Sequence, residues 1–312
     1  ISIQSRQLIT GNGISNNSIR YLLQDSKGFI WMSTLNGLSR YDGNSILSFY
    51  PDTEKLSLAD HRVAKLYEDR NGLLWVSTTP NLMSCYNLKK DCFVDFTGCG
   101  EYNQYYKNCL ETSDGSVWLW FDGNGCRKVT YKDDVFSSVV FKEEHGNIPS
   151  DGILYIYEDS RQRIWAGTSQ GIAELQGDKF VMIEGGHDAF HCMEYESKMF
   201  FLSAKGRIYM KVEGNACRLV NQVSSDLENS RVYGSMRLQH EWYIFTNEGG
   251  FVFNMETYTL HRSESLDIKN GLVEKDNKGN SWIYNRTGNV WYVDAETRKI
   301  KKFNLLPSNI VT

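Results

Sequence analysis

One short segment of the chain groups side chains that are suited to holding a sugar. WLWFDGNGC (Trp118 to Cys126) sets Trp120, Phe121, Asp122 and Asn124 at a predicted loop between two strands. An aromatic plane beside carboxylate and carboxamide groups suits a ring with an apolar C–H face and a rim of hydroxyls. The alternative is that Trp120 and Phe121 are core residues packed against a neighbouring repeat, as most aromatic residues are.

Further polar and aromatic residues stand at predicted strand starts and loops, where irregular positions are more informative than repeated ones. Together with the first group they predict a polar and aromatic face for an oligosaccharide, including an anionic one. An exposed arginine by itself is usually only a solvated surface group. The further candidates are Tyr105, Tyr106, His61, Arg62, Arg231, Tyr233, Asn285 and Arg286.

The motifs that could indicate catalysis or metal binding are incomplete. HDAFH (His187 to His191) has the i, i+4 spacing of a helical zinc pair, but it lacks the glutamate of H-E-x-x-H. It also falls where a strand is expected, so the two rings would not share a helix face. We therefore predict no catalytic residue, no metal and no cofactor.

The seven cysteines contain no C-x-x-C pair, and their odd number excludes complete internal pairing. Cys85 and Cys92 flank a predicted hairpin turn, Tyr86 to Asp91. They either form a disulfide or are two small buried apolar residues, which is the more common role of free cysteine.

The elements that must position these residues follow from a recurring phrase. DSKGFIWMST (25–34) returns in related form at 69–78, 112–120, 159–168 and 276–284. A period of roughly 40 residues built on strand–turn–strand units is typical of a β-propeller. An aromatic residue marks the centre of each repeat, and counting two weaker repeats the markers are Trp31, Trp75, Trp118, Trp165, Phe201, Tyr243 and Trp282.

Each repeat predicts four short strands, placed in the first repeat at 18–25, 29–34, 37–42 and 46–50. An aspartate six residues before the marker can accept hydrogen bonds from the N–H groups of a turn. A glycine three residues before it can supply the positive φ that a tight hairpin needs. The aspartates are Asp25, Asp69, Asp159 and Asp276, and the glycines are Gly28, Gly72, Gly115 and Gly279.

We therefore predict an all-β protein, a single seven-bladed β-propeller of four-stranded antiparallel blades over residues 1–312. Either Ile3 to Ile9, within residues 1–10, or Lys299 to Asn304 is expected to supply the outer strand of the last blade, which would remove exposed sheet edges. Residues 305–312 are expected to lead into a further propeller, because LLPSNIVT is similar to GISNNSIR near the first repeat.

Charge and hydropathy exclude two classes of partner. The net charge is −4, with lysine and arginine scattered along the chain, so nucleic acid is not expected to bind. Apolar runs stay well short of the about 18 residues that a membrane-spanning helix needs, so no membrane contact by this chain is expected.

Residues Gly13 to Gly43 resemble the two-component regulator propeller repeat. The second and fourth repeats of the chain also match well, the third and seventh match in part, and the fifth and sixth are degenerate. The matching positions of the first repeat are Asp25, Gly28, Trp31, Gly37, Leu38, Tyr41 and Asp42.

The resemblance implies the N-terminal periplasmic propeller of a hybrid two-component system sensor in a polysaccharide-degrading bacterium. A second propeller and a β-sandwich would follow in cis, then a membrane span and a histidine kinase. The resemblance further implies a non-catalytic module that responds to oligosaccharides from polysaccharide breakdown, with homodimerisation through the full-length sensor. Two alternatives stay open: a rigid spacer whose ligand binds elsewhere in the sensor, and a propeller-type glycan hydrolase or lyase acting at the central channel.

Overall fold

The computed structural model describes residues 10–79, 82–96, 106–203, 205–221, 230–275, 279–285 and 289–304. Its strands form seven four-stranded sheets in which strands adjacent in sequence are hydrogen-bonded. These sheets are the blades of a seven-bladed β-propeller, so the predicted fold class and the four-stranded repeat are confirmed.

The chain divides into two compact units, residues 1–158 and 159–312. In the first unit β1–β4, β5–β8 and β9–β12 form the first three sheets. Its strands are β1 (Ile19–Gln24), β2 (Ile30–Thr34), β3 (Gly37–Tyr41), β4 (Ile46–Phe49), β5 (Arg62–Glu68), β6 (Leu73–Thr79), β7 (Met83–Asn87), β8 (Cys92–Val94), β9 (Tyr106–Glu111), β10 (Val117–Phe121), β11 (Cys126–Lys132), β12 (Val135–Phe141) and β13 (Ile153–Glu158). Short 3₁₀ turns lie at Thr10–Asn12 and Glu143–His145.

The second unit continues the same pattern. Its strands are β14 (Ile164–Thr168), β15 (Gly171–Gln176), β16 (Lys179–Met182), β17 (Ala189–Tyr195), β18 (Lys198–Ser203), β19 (Ile208–Lys211), β20 (Cys217–Leu219), β21 (Val232–Leu238), β22 (Glu241–Thr246), β23 (Gly250–Asn254), β24 (Thr259–Arg262), β25 (Leu272–Lys275), β26 (Ser281–Tyr284), β27 (Asn289–Val293) and β28 (Ile300–Asn304). Sheets four to seven comprise β13–β16, β17–β20, β21–β24 and β25–β28.

The last strand decides which segment forms the outer edge of the seventh sheet. β28 pairs antiparallel with β27, from Asn289 opposite Asn304 to Val293 opposite Ile300. Of the two segments considered, Lys299 to Asn304 therefore supplies this strand. Ile3 to Ile9 and residues 305–312 lie outside the described residues.

The turn aspartate of each well-formed repeat organises its hairpin as predicted. Oδ1 of Asp25 accepts the backbone N–H groups of Lys27 and Phe29 at 3.0 and 2.9 Å. Oδ2 of Asp25 accepts the indole N–H of Trp31 at 2.7 Å, a contact that the sequence did not predict. Asp69 and Asp159 repeat this arrangement with their own turns and marker tryptophans, whereas Asp276 lies outside the described residues. The four turn glycines have the predicted positive φ, between 79° and 90°.

The marker rings pack between neighbouring sheets. Trp31 is buried against Leu74, Val76 and Tyr86 of the second sheet, and Trp75 against Val117 and Leu119 of the third. Six of the seven markers are at most 9% exposed, which confirms their structural role. The exception is Trp282, which is 38% exposed and stacks on the edge-strand residue Phe303 with ring centroids 6.1 Å apart.

A second set of polar contacts joins neighbouring blades, and the sequence did not predict it. Ser26, directly after the turn aspartate of the first blade, donates through its N–H and its hydroxyl to Glu68 at the end of β5. Ser113 contacts Glu158 in the same way, at 2.7 and 2.6 Å. Arg70 takes the serine position toward Glu111, and in the second unit Ser160 contacts Glu194. Each contact ties the turn of one blade to the inner strand of the next.

The hairpin between Cys85 and Cys92 forms as predicted, in β7 and β8. Cys85 is opposite Val94 and Cys92 is opposite Asn87, so the two cysteines are not direct cross-strand partners. Both thiols are free; Cys85 is buried, but Cys92 is exposed. The expectation of two buried cysteines is therefore correct for Cys85 and wrong for Cys92.

Candidate functional site

The first strands of several blades carry a β-bulge near their start, and in the first three blades the irregular segment includes a cation. In β1 the register skips from Ile19 to Tyr21, which leaves Arg20 as the extra residue. In β5 the irregularity falls between Val63 and Leu66 and includes Lys65. In β9 Lys107 is the extra residue, between the partners of Phe121 and Trp120. A bulge re-aims the side chain that it frees, and bulges are common next to functional sites.

Hydrogen bonds join these cations in two groups, and β5 contributes one residue to each group. The guanidinium of Arg20 donates to the hydroxyl of Thr79 at 3.3 Å, and that hydroxyl donates to the carbonyl of Arg62 at 3.2 Å. The ammonium group of Lys65 donates to the carbonyl of Lys107 at 3.3 Å. Here the two groups are together called the basic rim, which consists of Arg20, Arg62, Lys65, Lys107 and Asp122.

The basic rim contains part of the site predicted from sequence. Nζ of Lys107 lies 3.3 Å from Oδ1 of Asp122, which joins the start of β9 to the loop after β10. Asp122 is exposed and Asn124 is partly exposed, so both amide and carboxylate groups can reach a ligand. Tyr106 is largely buried beside the core of the second and third blades, and burial raises the pKa of its hydroxyl well above the usual range. Tyr105 lies outside the described residues.

Trp120 and Phe121 do not form an exposed platform. Both residues belong to β10 rather than to the loop that follows it, so their predicted placement is wrong. Trp120 is 3% exposed and Phe121 is 1% exposed, and Phe121 packs with Trp75 and Leu119 in a hydrophobic cluster. The alternative prediction, that these two rings are core residues, is correct.

His61 and Arg62 stand at the entry to the second blade, as expected. His61 is exposed, and its carbonyl accepts the N–H of Gly37 at 2.6 Å. The side chain of Arg62 is 56% exposed, and its Nε lies 3.9 Å from Oδ1 of Asp60. The exposed guanidinium of Arg62 can therefore donate to solvent or a ligand.

In the second unit two of the predicted residues, Arg231 and Tyr233, contact each other. Tyr233 is the bulged residue of β21, and the guanidinium of Arg231 lies 5.5 Å from the centre of its ring. The backbone N–H of Arg231 donates to Oδ1 of Asn247. Asn285 donates to the carbonyl of Lys269 at 3.3 Å. Arg286 lies outside the described residues.

Sequence reasoning missed Arg20, Lys65 and Lys107, although a signal for them exists. Each precedes the marker tryptophan of its own repeat by ten or eleven residues. A cation near the same place in three successive repeats becomes visible when the repeats are aligned with one another. It was overlooked because single lysines and arginines are common on surfaces.

The two histidines of HDAFH do not lie on a helix. His191 lies within β17 and His187 precedes that strand, so the expectation that the motif is not helical is confirmed. Within the described ranges no group of three or more histidine, cysteine, aspartate or glutamate side chains is arranged to hold a metal ion.

His191 is expected to make the protein sensitive to acid. Burial lowers the pKa of His191 to about 4, from an ordinary value near 6.5. Because His191 has a lower pKa in the folded state than in the unfolded state, the unfolded state takes up the proton first. The free energy of unfolding therefore keeps its full value above pH 6.5 and decreases as the pH falls toward 4. The loss is up to about 3 kcal/mol. Urea unfolding at several pH values should show a shallower acid dependence for His191→Gln. Equal slopes for the two proteins would contradict this assignment.

Three segments of the chain match the sequence profile of a known protein family. The sequence profile described as "Two component regulator propeller" matches residues 13–36, 57–79 and 147–170. These segments belong to the first, second and fourth blades, the three that were expected to match best. No curated protein matches the chain with significant similarity. None of the helices in the described part of the chain is long and apolar enough to span a membrane.

Solved structures share the fold at low sequence identity. The extracellular domain of BT4673 from B. thetaiotaomicron, described as a one-component system, is 16% identical with a TM-score of 0.51, over 94% of this chain and 44% of that chain. PorZ, a component of the type-IX secretion system of Porphyromonas gingivalis, is 10% identical with a TM-score of 0.56, over 94% and 39%. The designed protein Ika8 is 9% identical with a TM-score of 0.58, over 92% and 87%. The chain thus spans less than half of each of the two natural proteins, and these likenesses concern the fold.

Proposed function

We propose that this chain is a non-catalytic sensor module that recognises oligosaccharides outside the cytoplasm and signals to a histidine kinase. The observation that carries the proposal is the basic rim, in which three irregular strand starts of the first unit carry cations that contact one another's blades. The match of three blades to the two-component regulator propeller profile supports the sensor role. In this proposal a second propeller, a β-sandwich and the kinase follow in cis, the sensor domain is periplasmic, and the full-length protein is a homodimer.

The charge balance of the basic rim favours an acidic oligosaccharide. Four of its five members are cations; the carboxylate of Asp122 pairs with Lys107, and the nearby Asp60 lies 3.9 Å from Arg62. The net charge of the whole chain is −4, so the basic rim differs in sign from the rest of the surface. Sulfate or carboxylate groups of a glycan would pair with Arg20, Arg62 and Lys65, while Asn124 offers both donor and acceptor to hydroxyls.

Binding can act as a signal only if the sensor has two states with different affinities for the ligand. The basic rim is built from strand starts and one loop of three blades. A glycan that bridges these blades would therefore favour one relative arrangement of the blades over another. The proposal places the coupling to the kinase in this differential binding.

Calorimetric titration of the chain with sulfated, uronate-containing and neutral oligosaccharides of equal length tests the proposal. Arg62→Ala and Lys65→Ala should each weaken binding of the acidic glycans by about tenfold, the effect of losing one charge-assisted hydrogen bond. Binding should also weaken as salt is raised, since exposed charge pairs are screened. Lys132→Ala is the matched control, because this exposed cation lies at the other end of β11, about 20 Å from the loop at ~3.3 Å per residue.

Each other outcome would contradict a specific part of the proposal. Equal loss of binding in the Lys132→Ala control would exclude the basic rim as the site. Binding by a longer sensor but not by this chain would make the chain a spacer. Release of shortened glycan products during the titration would contradict the non-catalytic role and favour a hydrolase or lyase.

A further inference from the structure

A groove separate from the basic rim lies between the outer parts of the first and second blades. It has a volume of about 390 Å³, within the range of sites for small ligands. Its walls are β4 with the chain that leaves it and the hairpin of β7 and β8. Its lining includes Phe49, Tyr50, Asp52, Lys55, Leu56, Asp91 and Cys92.

The groove has an aromatic base. The rings of Phe49, Tyr86 and Phe93 pack edge to face, with centroids 5.0 to 5.7 Å apart. Two large apolar side chains stand at its mouth: Tyr50 is 45% exposed and Leu56 is 57% exposed. Exposed apolar groups beside a preformed concave surface are typical of a ligand site.

One carboxylate in the wall is held in place by the neighbouring blade. Arg40 is largely buried and lies over the ring of Phe29, with the guanidinium carbon 4.8 Å from the ring centre. It forms an ion pair with Asp91, which also accepts the hydroxyl of Tyr86 at 2.8 Å. These hydrogen bonds hold the pKa of Asp91 below its usual range, so the carboxylate stays ionised. Its side chain is 59% exposed, which leaves acceptor positions toward the groove.

The second carboxylate belongs to a loop that is closed on itself. The N–H of Asp52 donates to the hydroxyl of Ser57 at 2.7 Å, and that hydroxyl donates back to the carbonyl of Asp52 at 3.1 Å. Oδ1 of Asp52 accepts the N–H of Glu54, and Oδ2 lies 3.3 Å from Nζ of Lys55. The loop therefore presents Asp52 and Lys55 as a fixed acceptor and donor beside Tyr50.

The charges of the groove cancel in pairs, and this determines the class of ligand. Asp91 is neutralised by Arg40, and Asp52 by Lys55. An anionic ligand would meet no unpaired cation among the lining residues, and a cationic ligand would meet no unpaired carboxylate. An uncharged ligand with an apolar face and several hydroxyls satisfies both the rings and the carboxylate acceptors.

We propose that the groove between the first and second blades binds a neutral saccharide unit, with Tyr50 against its C–H face and Asp52 and Asp91 accepting its hydroxyls. The site is distinct from the basic rim, and its ligand differs in charge from the ligand proposed there. The two sites can therefore be tested separately.

Cys92 provides a native reporter for occupancy, because its exposed thiol is part of the groove lining. The rate of its alkylation by an uncharged maleimide is measured with neutral mono- and disaccharides up to about 50 mM, which covers millimolar dissociation constants. A saccharide at ten times its Kd should slow the reaction about tenfold. Cys92→Ser gives the background from the other thiols and is subtracted.

Three single-residue variants test whether the protection of Cys92 depends on the residues that line the groove. Tyr50→Ala and Asp52→Asn should each reduce the protection by about fivefold to tenfold, the effect of losing a ring contact or a charge-assisted hydrogen bond. Leu47→Ala should leave it unchanged, because Leu47 is an exposed apolar residue of β4, the strand just before Tyr50, and does not line the groove. All three positions are on the surface, and thermal unfolding of each variant checks that it is folded.

The proposal is overturned if no neutral saccharide slows the alkylation. It is also overturned if Tyr50→Ala and Asp52→Asn are protected as strongly as the native protein. It is also overturned if short peptides protect and saccharides do not. Arg62→Ala and Lys65→Ala should not alter the protection. If these two variants lose binding of acidic glycans but no saccharide protects Cys92 in the native protein, the groove proposal alone is rejected. If saccharides protect Cys92 but the two variants bind acidic glycans as the native protein does, only the function proposed for the basic rim is rejected.

Discussion

Replacing Asp25 by alanine is expected to lower the free energy of unfolding by about 3–5 kcal/mol. The side chain is 4% exposed and accepts three hydrogen bonds, two from turn N–H groups and one from the indole of Trp31. Its removal leaves the indole N–H buried without its acceptor, and a buried unsatisfied donor costs about 1–3 kcal/mol. Chemical denaturation with fluorescence detection measures the change directly.

Asp42 provides the matched control for this prediction. It also accepts two backbone N–H groups and one hydroxyl, from Asn44 and Ser45, but it lies in an exposed turn. Asp42→Ala should therefore have a much smaller effect, because water replaces the lost bonds. Equal destabilisation by the two substitutions would contradict the importance of burial.

A double-mutant cycle isolates the contact between the aspartate and the indole. Asn at position 25 can still accept the turn N–H groups, but its amide would present a donor to the indole donor of Trp31. Asp25→Asn should therefore be destabilising in the native background and less so in the Trp31→Phe background. Additive effects of the two substitutions would show that the contact contributes nothing.

Replacing Gly125 by alanine is expected to destabilise the protein by about 3–5 kcal/mol, through left-handed strain and overpacking together. Gly125 has φ +67°, and an added Cβ would lie 2.1 Å from the carbonyl oxygen of Phe141. That oxygen belongs to β12, so relief requires the strand or the loop to move. The loop carries Asp122 and Asn124, and we expect the same substitution to weaken binding at the basic rim.

Gly123, in the same loop, separates the two causes. Its φ is +65°, almost the same as that of Gly125, but an added Cβ would have no heavy atom within 4 Å. Gly123→Ala should therefore cost only the left-handed strain, roughly 1–2 kcal/mol. Thermal or urea unfolding of the two variants gives the comparison. If their stabilities were the same, the close approach to Phe141 would have no energetic consequence.

Parts of the candidate site could be predicted from the sequence because they stand out from the repeats. Asp122, Asn124 and Arg62 depart from the repeated pattern, and the structure places Asp122 and Arg62 in the basic rim. Trp120 and Phe121 also attracted attention, but an aromatic residue near a loop has the same sequence pattern whether it ends a strand or begins the loop. Only the pairing of β10 with its two neighbours determines that both rings are buried.

The groove could not have been predicted from the sequence. Its wall combines the Asp52 loop with Asp91, which lies almost 40 residues further along the chain, and its neutrality depends on Arg40 reaching Asp91 from the previous blade. No local pattern links these three positions. The exposure of Cys92 likewise depends on where β8 lies relative to its neighbours.

The sequence by itself determined the fold class, the number of blades and the hairpin turns. These depend on interactions within about ten residues, such as the hydrogen bonds of Asp25 to its own turn, and on local backbone angles such as the positive φ of Gly28. Each repeat therefore specifies its own strands and turns. The tertiary structure decided how the blades are joined and which side chains reach solvent. Ser113 meets Glu158 and Lys65 meets Lys107 across some 40 residues of chain, and such contacts exist only once neighbouring blades have packed side by side.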